Sequence, residues 1–162
     1  MIFIHLISVA IVVFSIIFEG HLGISGIKPD LLFIFIIYLS YSFGSFIGEV
    51  YGFWGGLLMD ADTSAPLGLY TFSYVIAGFV IGLFGRSVFK NNLVTISLLL
   101  FVSSVIKGII TMFLCYIFDH IKFSSSLSVI IIESFYNALL APLLFFLLDR
   151  LFYRELERQG VL

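Results

Sequence analysis

The chain has 162 residues, 61% of them hydrophobic and 11% charged, with a formal net charge of -2 and a mean hydropathy of +1.20. Soluble domains are roughly a quarter charged, so a water-soluble globular domain is excluded, and the charge balance excludes a strongly basic nucleic-acid binder. Cys115 is the single cysteine, which excludes an intrachain disulfide and a cysteine metal cluster.

The remaining class is an all-α polytopic membrane protein, read as a single transmembrane domain over 1–162. A helix needs about 20 mostly apolar residues to cross a bilayer, and 1–18 is predicted as the first span. No basic residue precedes that run and no small-x-small cleavage pattern follows it, so it reads as a retained helix rather than a signal peptide. Lys28-Pro29-Asp30 closes the next connection. Proline suits the first turn of a helix and aspartate complements the positive end of its dipole, which predicts a second helix from residue 30.

From Leu31 to Met59 the only charge is Glu49. One straight helix of that length measures about 43 Å, against a hydrocarbon core of about 30 Å. The polar, glycine-containing Ser42-Phe43-Gly44-Ser45 favours two short helices, over 30–43 and 46–60, above a single crossing. A polar loop from Asp60 to Pro66 then precedes a fourth helix over 67–85. The loop Arg86 to Asn92 leads to a fifth over 93–118, interrupted by Lys107, and a sixth over 127–150 carries Glu133, Asn137 and Pro142. The tail from Asp149 reads as a short amphipathic helix end.

Basic residues collect on the cytoplasmic side of a membrane. With about six spans, Arg86, Lys90, Arg150, Arg154 and Arg158 share one side and Lys28 and Lys122 the other, which predicts both termini in the cytoplasm. A five-span layout moves only Lys28 between sides, so the basic residues alone separate the two models poorly.

Glu49, Lys107 and Glu133 fall within predicted spans. A charge at mid-membrane costs about 2.5 to 3.5 kcal/mol on insertion scales and usually faces the bundle interior. Glu133, Asn137 and Ala141 stand four apart on one helix face, and Lys107 neighbours a narrow stripe of Gly108, Thr111 and Cys115. The expectation is an interior pair of Lys107 with Glu133 or Glu49; the alternative is that these side chains snorkel to the headgroups.

Gly48, Gly52 and Gly56 recur every four residues, with Gly55 beside them, and make a flat groove for the close approach of another backbone. The fourth predicted helix has its own small face at Gly78 and Gly82. Small-xxx-small faces promote helix packing in membranes, so the fourth helix is the first occupant to expect, with a partner's helix or a lipid chain as the alternative. Tyr51, Tyr70, Tyr74 and Tyr153 read as interfacial rings, and Asp60 and Asp62 as solvated caps on a short loop. No nucleophile–base pair, phosphate-cradling loop or metal cluster is recognisable, so no catalytic residue, cofactor or metal is assigned.

Taken together, Pro29-Asp30-Leu31-Leu32, Tyr38, Gly52-Phe53-x-x-Gly56-Leu57-Leu58-x-Asp60, Pro66-Leu67-Gly68, and late in the chain Asn137 followed by Ala141-Pro142, resemble the bacterial rod shape-determining MreD family. The family tends to carry basic residues at the turn between its second and third helices, whereas Ser42-Phe43-Gly44-Ser45 has none, so the cytoplasmic side of that turn follows from the family layout. The resemblance implies a non-enzymatic inner-membrane subunit of the cell-elongation machinery that binds MreC, a single-span protein. It also implies that the protein helps couple MreB to the wall synthases RodA and its penicillin-binding partner, and that its fold is similar to the substrate-binding subunits of energy-coupling-factor transporters. That similarity supplies the rival reading: a substrate-binding membrane subunit for a vitamin-like or lipid-linked molecule, with Lys107, Glu133 and Asn137 around its ligand.

Overall fold

The computed structural model of the chain describes residues 27–63, 66–88, 92–118 and 127–158. Among these residues lie five α-helices: α1 (Leu31–Phe43), α2 (Ser45–Asp62), α3 (Leu69–Val88), α4 (Leu93–Ile117) and α5 (Leu127–Arg158). The first predicted span, 1–18, lies outside the described residues.

The chain breaks between α1 and α2 at Gly44, whose φ of 92° is in the left-handed region that a side chain disfavours. Glycine here ends one helix and begins the next without a longer loop, so the stretch from Leu31 to Met59 is two helices. At 13 residues α1 is only about 20 Å long. It is buried on every side, with Phe33, Ile34, Ile37, Tyr38 and Leu39 wholly inaccessible, and it packs against α2 and α3 and, less extensively, α5 and α4. A helix that is apolar all round belongs inside a bundle rather than at its surface.

The closest helix pair is α2 with α3. A Cβ added at Gly56 would lie 2.2 Å from Cα of Thr71, and one at Gly52 would lie 2.9 Å from the carbonyl oxygen of Tyr74. From the opposite side, a Cβ at Gly78 would come within 2.6 Å of the Gly48 carbonyl oxygen, and one at Gly82 within 2.3 Å of Cα of Ser45. The two glycine faces are therefore pressed backbone to backbone, and the protein's own α3 fills the groove. No room is left there for a partner's helix or a lipid chain. Gly55 faces the other way, against Ile36 of α1.

In α4 and α5 the outward faces are apolar, and polar side chains lie inside beside apolar ones such as Ile96, Leu99, Ile130 and Phe145. The buried stripe of α4 includes Ser103, Ser104, Lys107 and Thr111, while Leu98, Val102, Ile109, Met112 and Phe113 are exposed. α5 likewise buries Ser134 and Asn137 and exposes Ile131, Phe135, Leu139, Leu143 and Phe146. Water would drive such surfaces inward; lipid does not. α4 and the Leu127–Tyr153 part of α5 are long and apolar enough to cross a membrane, whereas α1 and Leu69–Gly85 are apolar but shorter. Taken one by one, two of the described helices are long and apolar enough to cross a membrane by themselves.

α5 also runs on past the predicted end at residue 150. It continues unbroken through Pro142 to Arg158, so the tail read as a short amphipathic helix end belongs to one 32-residue helix. Leu148, Phe152 and Leu156 are buried at a spacing of four and keep one face against the bundle. The Phe152 ring lies 6.0 Å from that of Tyr38 and 5.9 Å from that of Phe43, and the Tyr38 hydroxyl donates to Asp149 at 3.0 Å.

Candidate functional site

The strongest concentration of polar chemistry begins at Asp30, the residue before the first turn of α1. Its Oδ1 accepts the backbone N–H of Phe33 at 2.8 Å, an N-cap that satisfies one of the free donors of the helix start. Its Oδ2 accepts from Lys107 Nζ on α4 at 2.7 Å and from the Tyr74 hydroxyl on α3 at 2.5 Å. Lys107 also donates to Oε1 of Glu133 on α5 at 2.5 Å. Four residues further along α5, Asn137 accepts the Asp30 backbone N–H at 2.9 Å and donates to Ser104 of α4 at 3.0 Å. One cluster thus ties the start of α1 to α3, α4 and α5.

Asp30, Lys107 and Asn137 are each at least nine-tenths buried. Removing such charges from water is costly, and the cost is offset only when the ions pair closely and their other hydrogen-bonding positions are filled. Asp30 and Lys107 pair closely, and Asp30 is filled further by the Phe33 N–H and the Tyr74 hydroxyl. The ammonium also lies 5.0 Å from the centre of the Phe33 ring and 5.9 Å from that of Tyr74, within reach of cation–π attraction. Glu133 differs: its side chain is 25% exposed, and it borders a cavity of about 110 Å³ lined also by Lys28, Asp30, Tyr70, Lys107 and Thr111.

A second polar anchor holds the glycine-packed pair together. Asp60 lies within α2 and is 2% exposed. Its carboxylate accepts the backbone N–H groups of Gly68, Tyr70 and Thr71 at 2.8, 2.8 and 3.2 Å and the Thr71 hydroxyl at 2.6 Å. A carboxylate at a helix N-terminus satisfies orphan donors and complements the dipole, so Asp60 clamps the start of α3 onto the end of α2. Gly68 reaches this position with φ of 100°, and Pro66 accepts the Leu69 N–H at 3.2 Å. Asp60→Asn keeps the size but turns a donor toward these N–H groups. It is expected to cost about 2 kcal/mol of stability, read as a lower melting temperature of the detergent-solubilised protein; an unchanged melt contradicts the clamp.

The structure sorts the sequence expectations unevenly. It brings Lys107, Glu133 and Asn137 together, but Glu49 is half-buried on α2 and takes no part in the cluster. Asp30, expected only to start a helix, is the cluster's centre. Tyr74, expected at the interface, is wholly buried and donates to Asp30. Asp60, expected as a solvated cap, is a buried one. Pro29 lines the cavity beside Asp30, and Pro142 sits inside α5. The contact between Asp30 and Lys107 spans 77 positions, and the only local hint was an acid poised at the head of an otherwise uncharged helix.

A family model described as rod shape-determining protein MreD matches residues 1–151 of the chain. No curated protein and no solved structure matches it.

Proposed function

The chain belongs to the MreD family of rod shape-determining membrane proteins, and we propose that it is a non-enzymatic inner-membrane subunit of the cell-elongation complex. In this role it binds MreC and helps couple MreB to the wall synthases RodA and its penicillin-binding partner, so that peptidoglycan is inserted along the length of a rod. The observation that carries the reading is the family match, which runs over nearly the whole chain. The apolar outward faces of α4 and α5 support a place in the membrane. The described helices follow one another closely in sequence.

We further propose that the protein is multi-pass with both termini cytoplasmic, about six helices in all, in a fold like that of the energy-coupling-factor substrate-binding subunits. The short α1 would cross together with α2 as a re-entering pair inside the bundle, and the apolar run over 1–18 would supply a further crossing. Because α3 occupies the glycine groove, MreC would bind another face.

The transporter-subunit alternative is not favoured. Sites for small organic ligands usually measure about 300 Å³ or more, and the cavity at the polar cluster measures about 110 Å³. A larger groove of about 290 Å³, bounded by Pro66, Leu67, Phe72, Leu114 and Phe118, is apolar and offers no converging polar groups. Depleting the protein from its rod-shaped host is expected to give rounded cells that recover their shape on re-expression. Depleted cells that stay rod-shaped contradict the proposal.

A further inference from the structure

We propose that the outward face of α2 around Glu49 is a docking surface for a transmembrane helix of another protein, one that brings an arginine or lysine to the level of Glu49. The inference goes beyond membership of the elongation complex and does not depend on which protein supplies the helix.

It starts from a carboxylate that the bundle leaves unanswered. Glu49 is half-buried on α2, and among the described residues its carboxylate has neither an ion pair nor a hydrogen bond. Asp60 and Glu133, by contrast, are both engaged. The glycine seam fixes the depth of Glu49. Gly48 is pressed against Gly78 and Ser45 against Gly82, so α2 and α3 run antiparallel and Glu49 lies close to the level of Gly78. The apolar run of α3 spans Leu69–Gly85, which puts that level about 10 Å from the Gly85 end and about 14 Å from the Leu69 end at 1.5 Å per residue. A carboxylate facing lipid at such a depth is costly, and acidic side chains inside membranes pair with other groups. Snorkelling offers no escape, because it takes the long stems of lysine and arginine.

The surroundings define the missing group. Gly48 faces α3, and Glu49, about 100° further round the helix, is turned out of the seam. Phe46 and Phe53 stand three before it and four after it on the same side of the helix. Both are exposed, as is Trp54 beside them, and across the seam so are Phe72 and Phe79 of α3. An apolar, ring-rich surface around one unpaired carboxylate complements a guanidinium or ammonium carried by an otherwise apolar helix. The carboxylate balances the charge, the rings add cation–π attraction, and the remaining apolar residues of that helix cover Trp54 and its neighbours. Lipid does not supply this group, since the hydrocarbon at that depth holds no headgroup charge. Nor does a second copy of the chain: a two-fold contact through this face sets one Glu49 near the other, and Lys107 is enclosed within its own bundle.

The test replaces Phe53 by the photo-crosslinking analogue p-benzoylphenylalanine in the full chain expressed in its host, and each crosslink is mapped to a residue by mass spectrometry. The expected product joins position 53 to a transmembrane segment of another protein, with an arginine or lysine within about one helical turn of the crosslinked residue. Glu49→Gln should lower its yield about three- to tenfold, the range for a single interhelical polar contact in a membrane, and Glu49→Lys should abolish it. Exchanging the other protein's basic residue for glutamate should restore the product in the Glu49→Lys background. Glu49→Gln should melt like the parent, because Glu49 holds nothing within the bundle. No crosslink to protein, crosslinks only to a second copy of the chain, or crosslinks only to a segment without a basic residue overturn the proposal. So does an undiminished yield in Glu49→Gln, or a Glu49→Gln protein that melts earlier than the parent, which would place the partner of Glu49 inside the bundle.

Discussion

Lys107→Met removes the cation from the centre of the bundle and is expected to cost about 3 to 5 kcal/mol, the usual penalty for stranding the partner of a buried ion pair. Methionine fills a similar space, so the loss is not one of packing. It comes from leaving Asp30 and Glu133 as two carboxylates without their shared ammonium. Asp30 suffers more, because it is nine-tenths buried while Glu133 retains some access to solvent. Whole domains are stable by only about 5 to 15 kcal/mol, so the variant should accumulate poorly and unfold early in detergent. The control is the neutral triple variant Lys107→Met, Asp30→Asn, Glu133→Gln. The asparagine that replaces Asp30 can still accept the Phe33 N–H, and no uncompensated charge remains, so most of the lost stability should return. A Lys107→Met protein that melts like the parent contradicts the account of the cluster; a triple variant no better than the single one shows that Lys107 matters for some reason other than charge.

Gly56→Val is expected to separate α2 from α3. The new Cβ would sit 2.2 Å from the Cα of Thr71, which is backbone and cannot rotate away. Overpacking that side chains can absorb typically costs about 1 to 3 kcal/mol; here the helices must move apart. That movement would also pull the Thr71 and Gly68 N–H groups off Asp60, so about 3 kcal/mol or more is expected. Gly55→Ala is the comparison on the same helix. Its nearest obstacle is Cδ1 of Ile36, the far end of a flexible side chain, at 2.7 Å, and a loss below about 1 kcal/mol is expected. Equal melting of the two variants would mean that the glycine row is not a backbone-to-backbone seam.

These two cases mark what could be read from the sequence and what could not. The glycine seam was legible because its signal is local: a spacing of four puts Gly48, Gly52 and Gly56 on one face, and Gly78 and Gly82 offer a matching one. The break at Gly44 was legible for the same reason, since Ser42 to Ser45 combines polar residues with a glycine in an apolar run. The partner of Lys107 was legible only in part. Glu133 and Asn137 share a helix face, but Glu49 was also a candidate, and it fails because the neighbouring Gly48 faces α3 and successive helix positions turn by about 100°. Asp30 was hidden by its local role. As an N-cap it needed no further explanation, and nothing in the sequence shows that the head of α1 is sunk deep enough to meet the middle of α4. The length of α5 was underestimated because Asp149 and Arg150 looked like a membrane exit, although Leu148, Phe152 and Leu156 carry the buried stripe beyond them.

The two polar anchors and the seam divide the work of holding a bundle that lacks the ordinary hydrophobic drive. Between helices in lipid, packing of small residues and interhelical hydrogen bonds replace that drive. α2 and α3 use the glycine seam with Asp60 as its clamp, while α1, α3, α4 and α5 meet at Asp30, Lys107 and Glu133. With both occupied internally, the proposed elongation-complex partner would be recognised by surfaces outside them.

The most direct test of the central claim is co-purification from gently solubilised membranes of the host, with the full-length chain tagged and the recovered proteins identified by mass spectrometry. Recovery of MreC with the unaltered chain, and with Gly55→Ala, but not with Gly56→Val, is the result expected of a folded subunit of the elongation complex. A correctly folded, membrane-inserted chain that brings down no MreC contradicts it.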